Sequence, residues 1–176
     1  SGNISAFTAI NTGTSPVIAT ITVTPTFENG GVSCTGPATP FEITVNPTAQ
    51  VNPTVDMVVT DGDNVDIPFS TINTGGTSTY TWTNTDPTTG LTNTGSSDIG
   101  FTAVNTGTSP ITTTVVVTPT FENGGNSNSG PTDTFIITVN PTAQIDPVDS
   151  LIFCDEDVVD PIVFTTQNTG GTTTYS

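Results

Sequence analysis

Residues 102–118 read TAVNTGTSPITTTVVVT, and residues 8–24 read TAINTGTSPVIATITVT. The stretch carries two signals at once. Its first half returns almost letter for letter 94 positions on, from Asn11 to Asn105, so the chain is repetitive. Its second half alternates. In Val17–Thr24 the side chains of Val17, Ala19, Ile21 and Val23 fall on one face and Ile18, Thr20, Thr22 and Thr24 on the other. The second copy keeps Ile111, Val115 and Val117 on the inward face. Period-two alternation is the mark of a half-buried strand. β-branched Thr favours extended backbone, and its hydroxyl keeps the outer face wet.

Further strings share the offset. VTPTFENGG at Val23–Gly31 returns at Val117–Gly125, and ITVNPTAQ at Ile43–Gln50 returns at Ile137–Gln144. One inserted residue near Pro161 then aligns Asn73-Thr74-Gly75-Gly76 with Asn168-Thr169-Gly170-Gly171. A period of this length is too long for a solenoid coil and suits one seven-stranded sandwich. Phe41, Ile43 and Val45, with Phe135, Ile137 and Val139, close each unit as a strand. More strands are predicted at Met57–Val59, Ile67–Ser70, Thr79–Thr83 and Ile99–Val104, and no window offers a capped helical stripe. Each terminal strand runs into Asn-Pro-Thr-Ala-Gln and a second proline, Pro53 or Pro147, as a stiff linker does. The expected architecture is all-β, with tandem sandwich domains: residues 1–47 as the C-terminal half of one, 48–141 as a complete one and 142–176 as the N-terminal half of a third. The sequence is expected to be a piece of something longer.

Composition removes whole classes of function. The chain has no Lys, Arg or His, and its 16 Asp and Glu give a formal charge of −16. Nucleic acid and anionic membrane surfaces are poor partners, because both are bound by cationic side chains. No apolar run is long enough to span a bilayer. No ion pair between side chains exists, so each carboxylate must be solvated, accept hydrogen bonds or face a cation. Lys-Asn isopeptide cross-links are excluded for the same reason.

The single Trp, Trp82, stands two residues after Tyr80 and so on the same strand face. A core Trp on the third strand centres an immunoglobulin-like sandwich. Together with the repeated TAINTG, ITVTP and ITVNP strings, Tyr80-Thr81-Trp82 resembles the PKD-like repeats of very large, Thr-rich secreted surface proteins of Bacteroidota. The resemblance covers the whole length. It implies an extracellular, immunoglobulin-like spacer domain exported by the type IX route, and it names no catalytic residue. The chain departs from the commoner pattern after Trp82, where Thr83-Asn84-Thr85-Asp86 replaces an Asp-Phe-Gly-Asp type of turn.

Related repeats often carry Cys in two slots, which the middle unit fills with Thr60 and Asn128 while the flanks show Cys154 and Cys34. If the polymer repeats every two domains, Cys154 pairs with Cys34 of the next copy. Such a bridge adds about 2–4 kcal/mol to the domain it closes. The alternative is two independent buried thiols. Asp61, Asp63 and Asp66 recur at the same offset as Asp155, Asp157 and Asp160. D-x-D-x-x-D offers three hard oxygen donors in one turn, which suits Ca²⁺, although the EF-hand glycine and terminal Glu are missing. The competing reading is a solvated acidic turn, as it is for Glu28 and Glu122 in the FENGG turns. Asp149-Ser150-Leu151 matches the short O-glycan acceptor of that bacterial group.

Without His or Lys there is no Ser-His or Cys-His nucleophile, no Schiff base and no imidazole ligand. Trp82, Tyr80 and Tyr175 read as core residues on strands rather than a sugar platform. No catalysis is expected. Three functions stand: a structural segment of an extracellular filament or giant adhesin; a module whose Thr rows bind a regular surface or carbohydrate; and an accessory domain of a secreted enzyme. The first is the expectation, with further copies of the repeat as partners. A covalently continuous fibre is preferred to assembled subunits, because a composite of residues 142–176 and 1–47 lacks the counterpart of Trp82–Thr94.

Overall fold

Extended backbone dominates the computed structural model, which describes residues 2–176. Twelve strands run in order: β1 Val17–Val23, β2 Thr26–Asn29, β3 Val32–Thr35, β4 Thr39–Val45, β5 Met57–Thr60, β6 Asn64–Ile67, β7 Thr77–Asn84, β8 Thr94–Ser96, β9 Ile99–Thr102, β10 Ile111–Asn123, β11 Asn126–Ser129 and β12 Asp133–Asn140. The described residues include one helical turn, a 3₁₀ turn at Pro87–Thr89. The protein is all-β, as the alternation requires.

Six strands share one sheet, in the order β5-β12-β10-β7-β8 with β11 on β10, while β1–β4, β2–β3 and β6–β9 are two-stranded. β10 and β12 run antiparallel from Ile111↔Val139 to Val117↔Asp133. β5 joins the other edge of β12 in parallel, from Met57↔Ile137 to Thr60↔Asn140. Pro119 explains why β10 changes partner. It has no N–H to offer a ladder, so β10 leaves β12 at Val117 and takes β11 from Thr120. Its carbonyl accepts the Gly130 N–H at 3.0 Å, and Pro25 accepts Gly36 N–H at 2.9 Å in the first copy. Both hairpin tips are Gly-Gly turns, with φ 59° and 77° at Gly30 and Gly31, and 64° and 77° at Gly124 and Gly125. Two consecutive positive φ values define a type I′ turn, which glycine adopts without steric cost.

Contacts divide the chain into two compact units. One comprises the chain through Asn52 with Ser70–Tyr80 and Thr118–Thr132. It buries Pro47, Ala49, Asn73, Pro119 and Phe121. A Cβ on Gly76 would sit 2.4 Å from the Phe121 ring, and one on Gly130 would sit 1.7 Å from the Ala49 carbonyl oxygen. The other unit comprises Pro53–Phe69, Thr81–Val117 and Asp133–Ser176. Its core includes Val65, Ile67, Trp82, Leu91, Ile99, Val115, Val117, Phe135, Ile137 and Val139. Trp82 is 7% exposed; its Nε1–H donates to the Ser97 carbonyl at 3.2 Å. Gly95 lies flat on the indole, where a Cβ would come within 2.1 Å of Cζ2. Tyr80 is half-buried.

Several expectations are corrected. The strand placed at Ile67–Ser70 lies earlier, at Asn64–Ile67, pairing with β9. Pro68 cannot extend the ladder, and the Phe69 N–H turns instead to the Asp98 carboxylate at 2.8 Å. The expected inward face of β1 is exposed at Val17 and Val23. Tyr175 belongs to no strand and is largely exposed. The β2–β3 and β10–β11 hairpins and the short β8 go beyond the expected strand set.

Candidate functional site

Pro47 and Pro53 flank a stretch that lies outside any strand and is nonetheless fixed. Its fixing point is Asn73. The Asn73 side-chain N–H₂ donates to the carbonyls of Thr48 at 3.1 Å and Thr14 at 3.4 Å. Its Oδ1 accepts the Gln50 N–H at 2.7 Å and the Thr71 hydroxyl at 3.1 Å. One amide therefore spends every donor and acceptor it has. Beside it, Thr74 N–H reaches the Thr14 carbonyl at 2.9 Å. A Cβ on Gly75 would fall 2.8 Å from the Pro16 ring.

The second linker has the same clamp. Asn168 donates to the carbonyls of Thr142 at 3.2 Å and Thr108 at 3.5 Å. It accepts Gln144 N–H at 2.7 Å and the Thr166 hydroxyl at 3.0 Å. Thr169 N–H reaches the Thr108 carbonyl at 2.8 Å, and Gly170 lies 2.9 Å, by its would-be Cβ, from the Pro110 ring. Where the letters differ the bonds persist with exchanged chemistry: Asn52 Nδ2 donates to the Ser70 hydroxyl in one linker, and the Thr165 hydroxyl donates to Asp146 in the other.

A second pair of asparagines anchors the loop in front of each clamp. Asn11 donates to the Ser15 and Val45 carbonyls, each at 2.8 Å, and accepts Gly13 N–H at 2.9 Å. Asn105 does the same with Ser109, Val139 and Gly107 at 2.9, 2.7 and 3.0 Å. Past the end of β4, Asn46 donates to the Asn123 carbonyl at 3.0 Å, and Asn123 Nδ2 donates back to Asn46 Oδ1 at 2.9 Å. Asn128 Nδ2 donates to the Pro47 carbonyl at 3.3 Å. In the sequence the Asn-Thr-Gly strings show only as an aligned repeat; their recurrence with each proline linker is the signal that marks them as clamps.

The acidic triplets do not converge. Asp61 accepts the Asn105 N–H at 2.8 Å and the Thr142 hydroxyl at 3.2 Å, and Asp63 accepts Thr60 N–H at 2.8 Å. Asp66 lies on β6 opposite Gly100. In the second triplet Asp157 accepts Cys154 N–H at 2.6 Å. Asp155 and Asp160 are exposed. Among the described residues no three His, Cys, Asp or Glu side chains gather into a group able to hold a metal ion. Asp61, Asp63 and Asp157 act as acceptors for backbone and hydroxyl groups. Glu122 accepts Gly125 N–H at 3.0 Å across its turn. Cys34 and Cys154 are both exposed free thiols, Cys34 opposite Phe27 in the β2–β3 hairpin.

One carboxylate is electrostatically distinct. The Thr88 hydroxyl donates to Asp86 at 2.6 Å and the Thr88 N–H at 2.9 Å. These two bonds hold the carboxyl below its ordinary value, since both favour the charged form. Asp86 caps the 3₁₀ turn beside a buried polar cluster in which Asn84 donates to the Leu91 carbonyl at 2.8 Å and accepts from the Thr113 hydroxyl.

Two open cavities stand out. One of about 620 Å³ is lined by Ile18, Asn46, Asn123, Asn126 and Asn128. Another of about 510 Å³ is lined by Ala143, Ile145, Phe164 and Tyr175, the last two with ring centroids 5.7 Å apart and planes tilted by 39°. The chain matches no known protein family and no curated protein.

Proposed function

We propose that this chain is a structural repeat segment of an extracellular filament or giant cell-surface adhesin, built of tandem immunoglobulin-like sandwiches and working as a spacer without catalysis. The observation that carries the reading is the duplicated clamp. Two proline linkers are each locked by one asparagine with the same four bonds, at Asn73 and at Asn168. A flexible linker would leave successive domains free to reorient. A linker pinned at its backbone by such a clamp transmits orientation, and with it tension, from one repeat to the next. Repetition of the device has a use in a long array and little in a chain of two independent modules.

Mass analysis of native material, with and without reductant, tests this. Trypsin has nothing to cut, so cleavage is at Asp or Glu. The reading expects a species far larger than 18.0 kDa that yields these peptides in multiple copies. A native 18.0 kDa protein that stays a free monomer and belongs to no larger species would overturn it.

A further inference from the structure

We infer that residues 151–157 of one chain dock on β4 of a second copy, adding a parallel strand there and closing the joint with Asp155. The inference rests on the filament reading and gives that filament a specific contact. Its template is inside the molecule. β5, Met57–Thr60, lies parallel on β12, and the turn after it is sealed by five bonds. Asp61 N–H reaches the Asn140 carbonyl at 2.9 Å, Gly62 N–H the Ala103 carbonyl at 2.8 Å and Ala103 N–H the Asp63 carbonyl at 2.8 Å. The Asp61 carboxylate takes the Asn105 N–H and the Thr142 hydroxyl.

Ninety-four positions away, each participant has a counterpart, but on two different parts of the chain. Ile43–Asn46 stands for Ile137–Asn140, and Ala9, Asn11 and Thr48 for Ala103, Asn105 and Thr142. Leu151–Cys154 stands for β5, and Asp155 for Asp61. Among the described residues β4 is paired with β1 alone, so its other edge is open. Leu151–Phe153 is in no strand, and Ile152 is 93% exposed. Within one chain Asp155 makes neither of Asp61's bonds.

The incoming segment already holds the docking shape. Asp157 accepts Cys154 N–H and its own N–H reaches the Cys154 carbonyl at 3.3 Å, as Asp63 does with Thr60. Glu156 takes φ 66°, matching Gly62 at 88°. A glutamate at positive φ is uncommon, and here the two Asp157–Cys154 bonds hold the turn in that shape before any partner arrives. The apolar residues agree as well. Phe27 lies exposed where Phe121 is covered by Gly76, and the tail brings Gly171 as that cover. Addition of a strand to an open edge supplies main-chain hydrogen bonds whatever the net charge. A tail-to-head contact of this kind is heterologous, and it propagates as a fibre where its rotation does not close a ring.

The register sets Cys154 beside Asn46, at the Val17 end of the β1–β4 pair, while Cys34 lies opposite Phe27, ten residues further along. That is roughly 30 Å of strand, far beyond the span of a disulfide. The joint does not use the Cys34–Cys154 bridge expected from spacing.

Sedimentation velocity of the reduced 176-residue chain, from micromolar to millimolar concentration, is the test. Wild type is expected to grow in mass with concentration. Ile152→Pro, at a position exposed and outside any strand, should stay at 18.0 kDa. Asp155→Ala should weaken association about tenfold or more, through loss of two hydrogen bonds to a charged acceptor. In a Cys34→Ser, Cys154→Ser background, Thr44→Cys with Ile152→Cys should oxidise to a covalent ladder, whereas Thr44→Cys with Val163→Cys should not. A wild type that is monomeric throughout, or oligomers indifferent to Ile152→Pro, would overturn the joint. If the native species is nevertheless far larger than 18.0 kDa, the filament reading survives without it.

Discussion

The same strings of sequence occupy opposite environments in this molecule. Val117, Phe121 and Phe135 are 0%, 0% and 1% exposed, while their counterparts Val23, Phe27 and Phe41 are 50%, 72% and 42% exposed. The local structure hardly differs. β1 pairs with β4 from Val17↔Val45 to Val23↔Thr39 just as β10 pairs with β12, and both hairpins end in a Gly-Gly turn. What differs is the company. β12 lies between β10 and β5, whereas β4 has β1 alone. Alternation and turn chemistry suffice to set a strand and its register; burial depends on strands far away in the sequence.

The sharpest way to break this comparison is to delete the same ring twice. Phe121→Ala removes a side chain packed under Gly76 and should cost about 3–5 kcal/mol in urea unfolding. Phe27→Ala should cost less than ~0.5 kcal/mol in the monomer, because nothing is left hollow. Equal losses would mean that the first copy is covered in solution. In assembled material the two costs should approach each other, which turns the pair into a reporter of the joint.

Next in size are the asparagines. Asn105 is 4% exposed and its amide reaches the Val139 carbonyl in the interior. Asn105→Ala leaves that acceptor orphaned and should cost about 2–3 kcal/mol. Asn11 makes the same bonds in a wetter setting, where water replaces the lost donor, so Asn11→Ala should cost about 1 kcal/mol. At the linkers, Asn73→Ala should raise amide hydrogen exchange at Gln50 about tenfold or more while leaving Gln144 unchanged, and Asn168→Ala should do the reverse. If either change released both amides, the clamps would not be separate devices.

Fold class was legible from Thr-rich alternation, and so was Trp82 as a core residue, because periodicity is a local property. The displaced strand at Asn64–Ile67 was not. Ile67-Pro68-Phe69 is an apolar run that hides its break: Pro68 ends the ladder, and the Phe69 N–H goes to the distant Asp98 carboxylate. Hairpins such as Thr26–Thr35 carry little apolar contrast and depend on their Gly-Gly tips. The clamps were hidden for a different reason. An asparagine that satisfies four backbone and hydroxyl groups reads, as a letter, like any turn asparagine, and its partners lie up to 60 residues away, as Thr108 does from Asn168. The acidic triplet shows the opposite case, since the strand path places Asp66 on β6 while Asp61 and Asp63 accept from separate donors in the turn before it.

The smallest expected effect belongs to one charge. Asp86 is held below its ordinary value by the Thr88 hydroxyl and N–H. A carboxyl whose folded-state value is depressed binds fewer protons folded than unfolded. Its contribution is therefore complete above the unfolded value, near 3.8, and is lost as pH falls through the lower folded value. Asp86→Asn keeps an oxygen to cap the 3₁₀ turn but removes the charge. Wild type should exceed this variant slightly in denaturant midpoint at neutral pH, and the gap should close as pH drops below the ordinary carboxylate range. A gap that persisted unchanged in strong acid would assign the difference to geometry at the cap rather than to the ionised carboxylate.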